Sequence, residues 1–163
     1  MRHEIIEFSD FSLVLLLYGC GDPVFAGSTI KPDAVVKVHD GDTFLINIAG
    51  CPDVLCLHVP VRMNGIDAPE IRGKCPQEKS GAVVARDFLA RILSSAKPGT
   101  IELRNVGRDK YFRINADVWV GGVNIGQEMI NKGIARAYDG GKRGGWCGQQ
   151  QSGSGILVTA TRL

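Results

Sequence analysis

Apolar, β-rich residues fill Ala34-Val-Val-Lys-Val-His39, and a second such run covers Thr43 to Ile48. Asp40-Gly41-Asp42 separates these runs with turn chemistry, which predicts two strands joined by a tight connection. Ala49 to Asp53 reads as a further turn, and Val54 to Met63 reads as a third strand interrupted by Pro60. The pattern then changes. Ala82, Ala85, Phe88, Leu89, Ile92 and Leu93 recur at three- and four-residue spacing, predicting a helix over 77–96 that Pro98-Gly99 ends. Ile101 to Val106 is a fourth strand and Tyr111 to Val120 a fifth, with a turn over 107–110. Asn124 is a good N-cap for a short helix over 125–132, and Gly133 is its natural stop. Ile134 to Tyr138 extends beyond it. Three strands, a helix, two strands and a helix describe a mostly β chain with some α: a five-stranded barrel of the OB type with two helices.

Composition narrows the class. At 163 residues, 44% hydrophobic and 22% charged, the chain suits one ordinary globular domain, here placed at 33–147. Net charge is only +2, but residues 104–143 hold eight Lys and Arg against four acids, so an anionic ligand becomes plausible. A solvated basic face is the plainer reading of the same numbers.

Both ends stand apart. Residues 1–26 read as a targeting leader. The apolar run from Phe11 to Tyr18 is shorter than the ~20 residues a membrane-spanning helix needs, and Val24-Phe25-Ala26 supplies small residues for signal-peptidase cleavage. Leu17-Tyr18-Gly19-Cys20 offers the alternative of a lipoprotein leader with an acylated Cys20. Arg2 is outweighed by Glu4, Glu7 and Asp10, so a misassigned start or a buried N-terminal segment is a further alternative. Loss of residues 1–26 removes one base and four acids and lifts the net charge from +2 to +5. Residues 148–163 are rich in Gly, Gln and Ser and read as a flexible tail. The expected location is secreted or periplasmic, or membrane-anchored if Cys20 carries lipid.

Four cysteines remain beyond the leader: Cys51, Cys56, Cys75 and Cys147. An even set in an exported domain suggests two disulfides, with three connectivities open. Cys51 and Cys56 flank the turn after the second strand, which favours their pairing; Cys75 with Cys147 would clamp the end of the domain onto the barrel. Four free thiols in a cytoplasmic protein is the alternative. Zinc lacks both a C-x-x-C pair and a histidine at ligand spacing.

The candidate chemistry lies in two sets of charges. Asp42 sits at a strand start, and Asp67 and Glu70 sit in the loop after strand three; a meander can bring the three acids to one end of the sheet. Clustered hard oxygens suit Ca²⁺. Arg62 and Arg113 lie in apolar strands, where a charge needs a partner or faces solvent, and two guanidinium forks could grip one phosphate. His39 and His58 read as strand-surface residues, Trp119 and Trp146 as packing residues, and Met63 and Met129 as core.

Three segments give these charges a common setting. Asp40-Gly-Asp-Thr43, Arg62-Met-Asn-Gly-Ile-Asp67-Ala-Pro-Glu70 and Asp109-Lys-Tyr-Phe-Arg113 occur in the order found in the staphylococcal nuclease (thermonuclease) family, which the chain resembles over about 34–147. The resemblance implies a calcium-dependent phosphodiesterase acting on DNA and RNA and leaving 3′-phosphate ends. It implies that Asp42, Asp67 and the main-chain carbonyl of Ala68 hold Ca²⁺, that Glu70 manages the attacking water, and that Arg62 and Arg113 grip the phosphate. Lys110, Tyr111 and Tyr138 match substrate-contacting positions. Phe112 departs from the small residue usual before the arginine, and the family's third helix is not readable in Asp139 to Cys147. No stable protein partner is implied, and a monomer is expected. A non-catalytic nucleic-acid-binding domain and a secreted OB-type adhesion module are the competing classes.

Overall fold

A computed structural model describes residues 28–148. The expectations for the leader, Cys20 and the tail beyond 148 lie outside the described residues.

Strands β1 (Ala34–Asp40) and β2 (Thr43–Asn47) form the expected antiparallel hairpin, with Asp40 opposite Thr43. A short helix α1 (Asp53–Cys56) precedes β3 (Val59–Met63), which pairs antiparallel with β2. Strand three is therefore five residues shorter than its sequence pattern suggested. The Cys51–Cys56 disulfide, with Cα atoms 6.1 Å apart, closes a helical turn there instead. His58 then reverses the chain with φ of 55°, its N–H donating to the Asn47 side chain, so it is a turn residue rather than a strand residue.

A two-residue strand β4 (Ile66–Asp67) leads into the loop before α2 (Pro76–Ser95). The helix buries Ala82, Ala85, Leu89 and Leu93, the stripe its period predicted, with Phe88 and Ile92 partly covered at its edge. β5 (Ile101–Arg108) and β6 (Ile114–Val120) form the second hairpin. β7 (Val123–Asn124) pairs with β6, and α3 (Ile125–Asn131) follows with Asn124 as its N-cap, accepting from Gln127 N at 3.0 Å. Gly133 stops it at φ 69°. β8 (Arg136–Ala137) pairs with β4. Among the described residues no helix follows α3, as the glycine-rich sequence implied.

The main sheet runs β1-β2-β3-β6-β5, and β3 and β6 are its parallel neighbours. Ile30, just ahead of β1, exchanges two backbone hydrogen bonds with Leu103 of β5, so the ends of the curled sheet meet. The result is an OB-type half-barrel filled by Phe44, Ile46, Val61, Met63, Leu103, Val118 and Met129 and capped by α2.

A second disulfide joins Cys75, the residue before α2, to Cys147, with Cα atoms 6.0 Å apart. Its sequence separation of 72 places it among the long closures, for which constraint of the unfolded chain gives about 4 kcal/mol.

One glycine fixes how the pieces meet. A Cβ on Gly41 would lie 2.5 Å from the Cβ of Ala85 on α2 and 2.8 Å from that of Ala68. The β1–β2 turn, the helix and the loop after β4 thus touch at a point with no room for a methyl group. Gly41→Ala is expected to destabilise the fold by about 1–3 kcal/mol, the usual cost of overpacking. Urea unfolding checks it, and an unchanged midpoint would refute the three-way contact.

Candidate active site

The Asp40-Gly41-Asp42 turn is more than a connection. Asp40 Oδ1 accepts from Ile71 N at 3.3 Å, and Asp42 Oδ2 accepts from Ala68 N at 3.0 Å. The main-chain oxygen of Asp42 accepts from Met63 N at 2.8 Å. Both carboxylates of the turn therefore hold the Asp67-Ala-Pro-Glu70 loop, while Gly41 lets it approach. Among the described residues, Asp42, Asp67 and Arg62 are the buried charged ones, at 3%, 4% and 6% exposure.

Arg62 points inward from β3. Its Nη1 lies 3.1 Å from Asp42 Oδ2 and donates to Met63 O at 2.9 Å; its Nη2 donates to Ile66 O at 2.9 Å. Two of its five N–H donors are engaged by main-chain carbonyls and its charge faces Asp42, which fixes the guanidinium. Burial raises the Asp42 pKa above its ordinary value even against Arg62 and the Ala68 N–H. Burial likewise lowers the Arg62 pKa despite Asp42. Desolvation wins for both partners, so the pair exists because the fold holds it in place, not because it stabilises the fold.

Arg113 is placed differently from its sequence reading. It lies in a turn ahead of β6, not inside a strand. Asp109 Oδ1 accepts from the N–H groups of Tyr111 (2.8 Å) and Arg113 (3.0 Å), and Asp109 Oδ2 takes Arg113 Nε at 2.7 Å. This side-chain capture of backbone donors competes with the sheet ladder. It puts Phe112 at φ 61°, exposed, which a continuous strand forbids. Burial works to raise the Asp109 pKa, but the bonds from Arg113 and Tyr111 prevail and lower it. Among the described residues, neither terminal nitrogen of Arg113 has a hydrogen-bond partner.

Arg62, Glu70, Lys110, Tyr111, Arg113 and Tyr138 line one open cleft of about 930 Å³. Tyr111 is 67% exposed, with Lys110 and Arg113 within 5.5 Å of its ring centre. Tyr138 is anchored by its N–H to Gly65 O at 3.0 Å. Asp67 borders an adjoining hollow with Arg136 and Tyr138. Glu70 is partly exposed; burial, then the negative charge of Asp42, raises its pKa, against a bond from Arg143. Ala68 is buried beside Asp67, with its N–H taken by Asp42.

Three residues in this region were not singled out by the sequence. Arg143 reaches Glu70 Oε1 with Nη1 at 2.7 Å and Asp67 Oδ1 with Nε at 3.4 Å. Trp146, read as a packing residue, donates Nε1–H to Asp67 Oδ2 at 3.1 Å and stacks on Arg136. Arg136 itself lies 3.4 Å from Asp67 Oδ2. A signal existed: Cys75 is five residues past Glu70 and Cys147 is four past Arg143, so pairing the cysteines carries Arg143 to Glu70. Trp119 behaves as expected, packing under Arg104 at 4.2 Å. Among the described residues, the set of three metal-binding side chains whose ligand atoms all lie within 4.8 Å of one another is Cys75, Glu78 and Cys147. Its two sulfurs are bonded to each other, so it is a staple and not a metal centre.

Arg62→Met leaves Asp42 buried without the Arg62 cation and removes the bonds to Met63 O and Ile66 O; a loss of about 3–5 kcal/mol is expected. The double change Asp42→Leu with Arg62→Met should recover part of that loss. Urea titrations of the two single variants and the double variant check it; additive losses would show that the charges are not energetically coupled.

A family model described as Staphylococcal nuclease homologue matches residues 60–146. The thermonuclease of Staphylococcus hyicus is 33% identical over 104 residues, which is 63% of this chain and 57% of that protein. The thermonuclease of Staphylococcus intermedius is 31% identical with the same coverage. The probable endonuclease LCL3 of Pyricularia oryzae is 33% identical over 85 residues, 50% of this chain and 32% of that protein. The matches thus span a third to somewhat over half of these relatives. With the matched region running from β3 past β8, and with the three charged segments gathered at one end of an OB-type barrel, the chain belongs to the staphylococcal nuclease family.

Proposed function

We propose that this protein is a nuclease that hydrolyses phosphodiester bonds of DNA and RNA with Ca²⁺, leaving 3′-phosphate ends. The observation that carries the reading is the convergence of Arg62, Arg113 and Glu70 on a single open cleft, with Lys110, Tyr111 and Tyr138 along its wall. A binding module has no need of a carboxylate beside two phosphate-gripping cations. The relatives' names, thermonuclease and probable endonuclease, point the same way.

The donor set fits a hard cation. Asp42 and Asp67 offer only oxygen, as does the carbonyl of Ala68. Three of the roughly four lone-pair sites of a carboxylate are taken on Asp42, leaving one on Oδ1. The cations gathered at Asp67, namely Arg136 and Arg143, mark this end of the barrel as one that attracts positive charge. Asp42, Asp67 and the Ala68 carbonyl would hold the ion. Bound there, Ca²⁺ supplies positive charge against the phosphate oxygens.

The chain's own groups do the rest. Arg62 and Arg113 pair with the equatorial oxygens where negative charge grows as water attacks. Glu70 accepts the water proton, and its raised pKa moves it closer to neutral pH as a base. Lys110 and Tyr111 meet a terminal phosphate, and Tyr138 stacks on a base. Export, by either leader, suits a chain with two disulfides. Among the described residues no helix is long and apolar enough to cross a membrane. We assign it as a monomer with no stable protein partner.

Glu70→Gln and Arg113→Ala should each lower the cleavage rate by about 10²–10³ with the fold intact, since one aimed charge is commonly worth that much. Near-normal rates in either folded variant would sink the assignment of roles. EDTA should abolish cleavage and Ca²⁺ restore it, with Mg²⁺ a poor substitute because it demands tighter geometry. Full activity in chelator would remove the metal from the reading. Nucleic-acid binding without any cleavage in Ca²⁺ would identify a binding module instead.

A further inference from the structure

Residues 139–147 read Asp-Gly-Gly-Lys-Arg-Gly-Gly-Trp-Cys, with four glycines in nine positions and no apolar period. Such a segment has the most conformational freedom to lose on ordering. It is nonetheless tied down along its length. The Tyr138 hydroxyl donates to Gly141 O at 2.8 Å, and Asp139 Oδ1 accepts from Gly141 N at 3.1 Å. Arg136 donates to Gly144 O and Gly145 O at 2.9 and 3.1 Å and lies 3.7 Å from the Trp146 ring centre. Trp146 reaches Asp67, and Cys147 is bonded to Cys75 at the start of α2.

All this anchoring leaves one long side chain aimed at the chemistry. Arg143 Nη1 donates to Glu70 Oε1 at 2.7 Å. Asp67 also has Arg136 and Trp146, so it does not depend on Arg143. The Glu70 carboxylate, by contrast, receives its side-chain hydrogen bond from Arg143. A glutamate on a loop needs such a partner if its oxygen is to meet a water at a fixed angle, because misplacement by about 1 Å can cost ~10²-fold in rate. Both side chains of the pair are 43% exposed, a setting in which an ion pair adds little to stability. The contact is therefore better suited to orientation than to holding the fold.

We propose, resting on the nuclease reading above, that residues 139–147 form a strap locked by the Cys75–Cys147 bridge, and that the strap delivers Arg143 as a positioning residue for the Glu70 carboxylate. The bridge thereby couples activity to an oxidising environment. The strap occupies Asp139 to Cys147, where no helix is readable in the sequence, and it replaces helical rigidity with side-chain anchors and one covalent bond.

The test is a cycle of variants of the full chain, assayed on a single-stranded oligonucleotide in Ca²⁺ well below the melting temperature of each. Arg143→Ala should lower kcat by about 10- to 100-fold with KM changed less than about threefold, and Arg143→Lys should restore part of the loss. Cys75→Ser with Cys147→Ser should reproduce the loss, and adding Arg143→Ala to that pair should cost nothing more. Multiplying losses would mean that the bridge acts on stability alone. An Arg143→Ala rate at or above the parent's, with tighter Ca²⁺ binding by calorimetry, would show that Arg143 blocks the carboxylates, and would overturn the proposal. Acrylamide quenching of Trp146 in a Trp119→Phe background reads the strap without any turnover. Removing the bridge should increase the quenching at least about twofold, as a shielded indole becomes accessible; unchanged quenching would refute the lock. A parent chain inert on nucleic acid whose Trp146 still responds to the bridge would sink the nuclease reading and the positioning role while leaving the strap.

Discussion

The carboxylate of Asp42 is the constraint on which the site depends. It takes hydrogen bonds from the Thr43 hydroxyl and the Ala68 N–H, and it faces the Arg62 guanidinium. Those three contacts join the β1–β2 turn, β3 and the loop after β4. None is free to move alone, because Gly41 seats the turn against Ala68 and Ala85 without space for a methyl group. Desolvation outweighs attraction for both Asp42 and Arg62, so this arrangement costs stability. Apolar burial beneath it, from Phe44, Ile46, Val61, Met63 and Leu89, must offset that cost. A charged pair held at the end of a close-packed core cannot relax toward its own optimum, and that rigidity is what pre-organised electrostatics require.

Around this fixed centre the remaining charged groups are more exposed and are held from outside. Arg113 hangs on a turn organised by Asp109, Lys110 and Tyr111 stand in solvent, and Glu70 is half-exposed. The division follows from the ligands each group is proposed to meet. A small cation needs its oxygens at set distances, so its candidates Asp42 and Asp67 are buried and multiply bonded. A nucleic-acid strand varies in sequence and shape, and exposed arginine, lysine and tyrosine can follow it.

Much of the barrel could be read from local pattern alone. The β-rich run from Thr43 buries alternate residues as β2, and the Ala82–Ala85–Leu89–Leu93 stripe is a direct image of one-sided burial. The structure departs from the sequence pattern where side chains overrule the backbone. Val54 and Leu55 look like strand residues, yet the Cys51–Cys56 bridge holds them in a helical turn with both side chains exposed. Tyr111 to Arg113 continue an apolar run into β6, yet the Asp109 carboxylate captures their backbone donors and breaks the ladder. Arg62 was ambiguous because a charge in an apolar strand looks the same in sequence whether it faces solvent or a buried acid. Only the register between the β1–β2 turn and β3 resolves it, and register is a long-range property.

The end of the domain was the least legible part, for a related reason. A helix announces itself by a repeat, whereas Asp139 to Cys147 is ordered by single unlike contacts: a tyrosine hydroxyl, an arginine bridging two carbonyls, an indole on a carboxylate, a disulfide. Each would be unremarkable in a list of residues, and none has a period. The glycines, which argue for a loose tail when read alone, allow the backbone to pass close to Arg136 and turn at Gly140 with φ of 96°. Flexibility in the unfolded chain and order in the folded one are compatible when the anchors are strong enough. Here the covalent anchor sits five residues from Glu70 along the chain, so the element that fastens the end of the domain also determines what that end can touch.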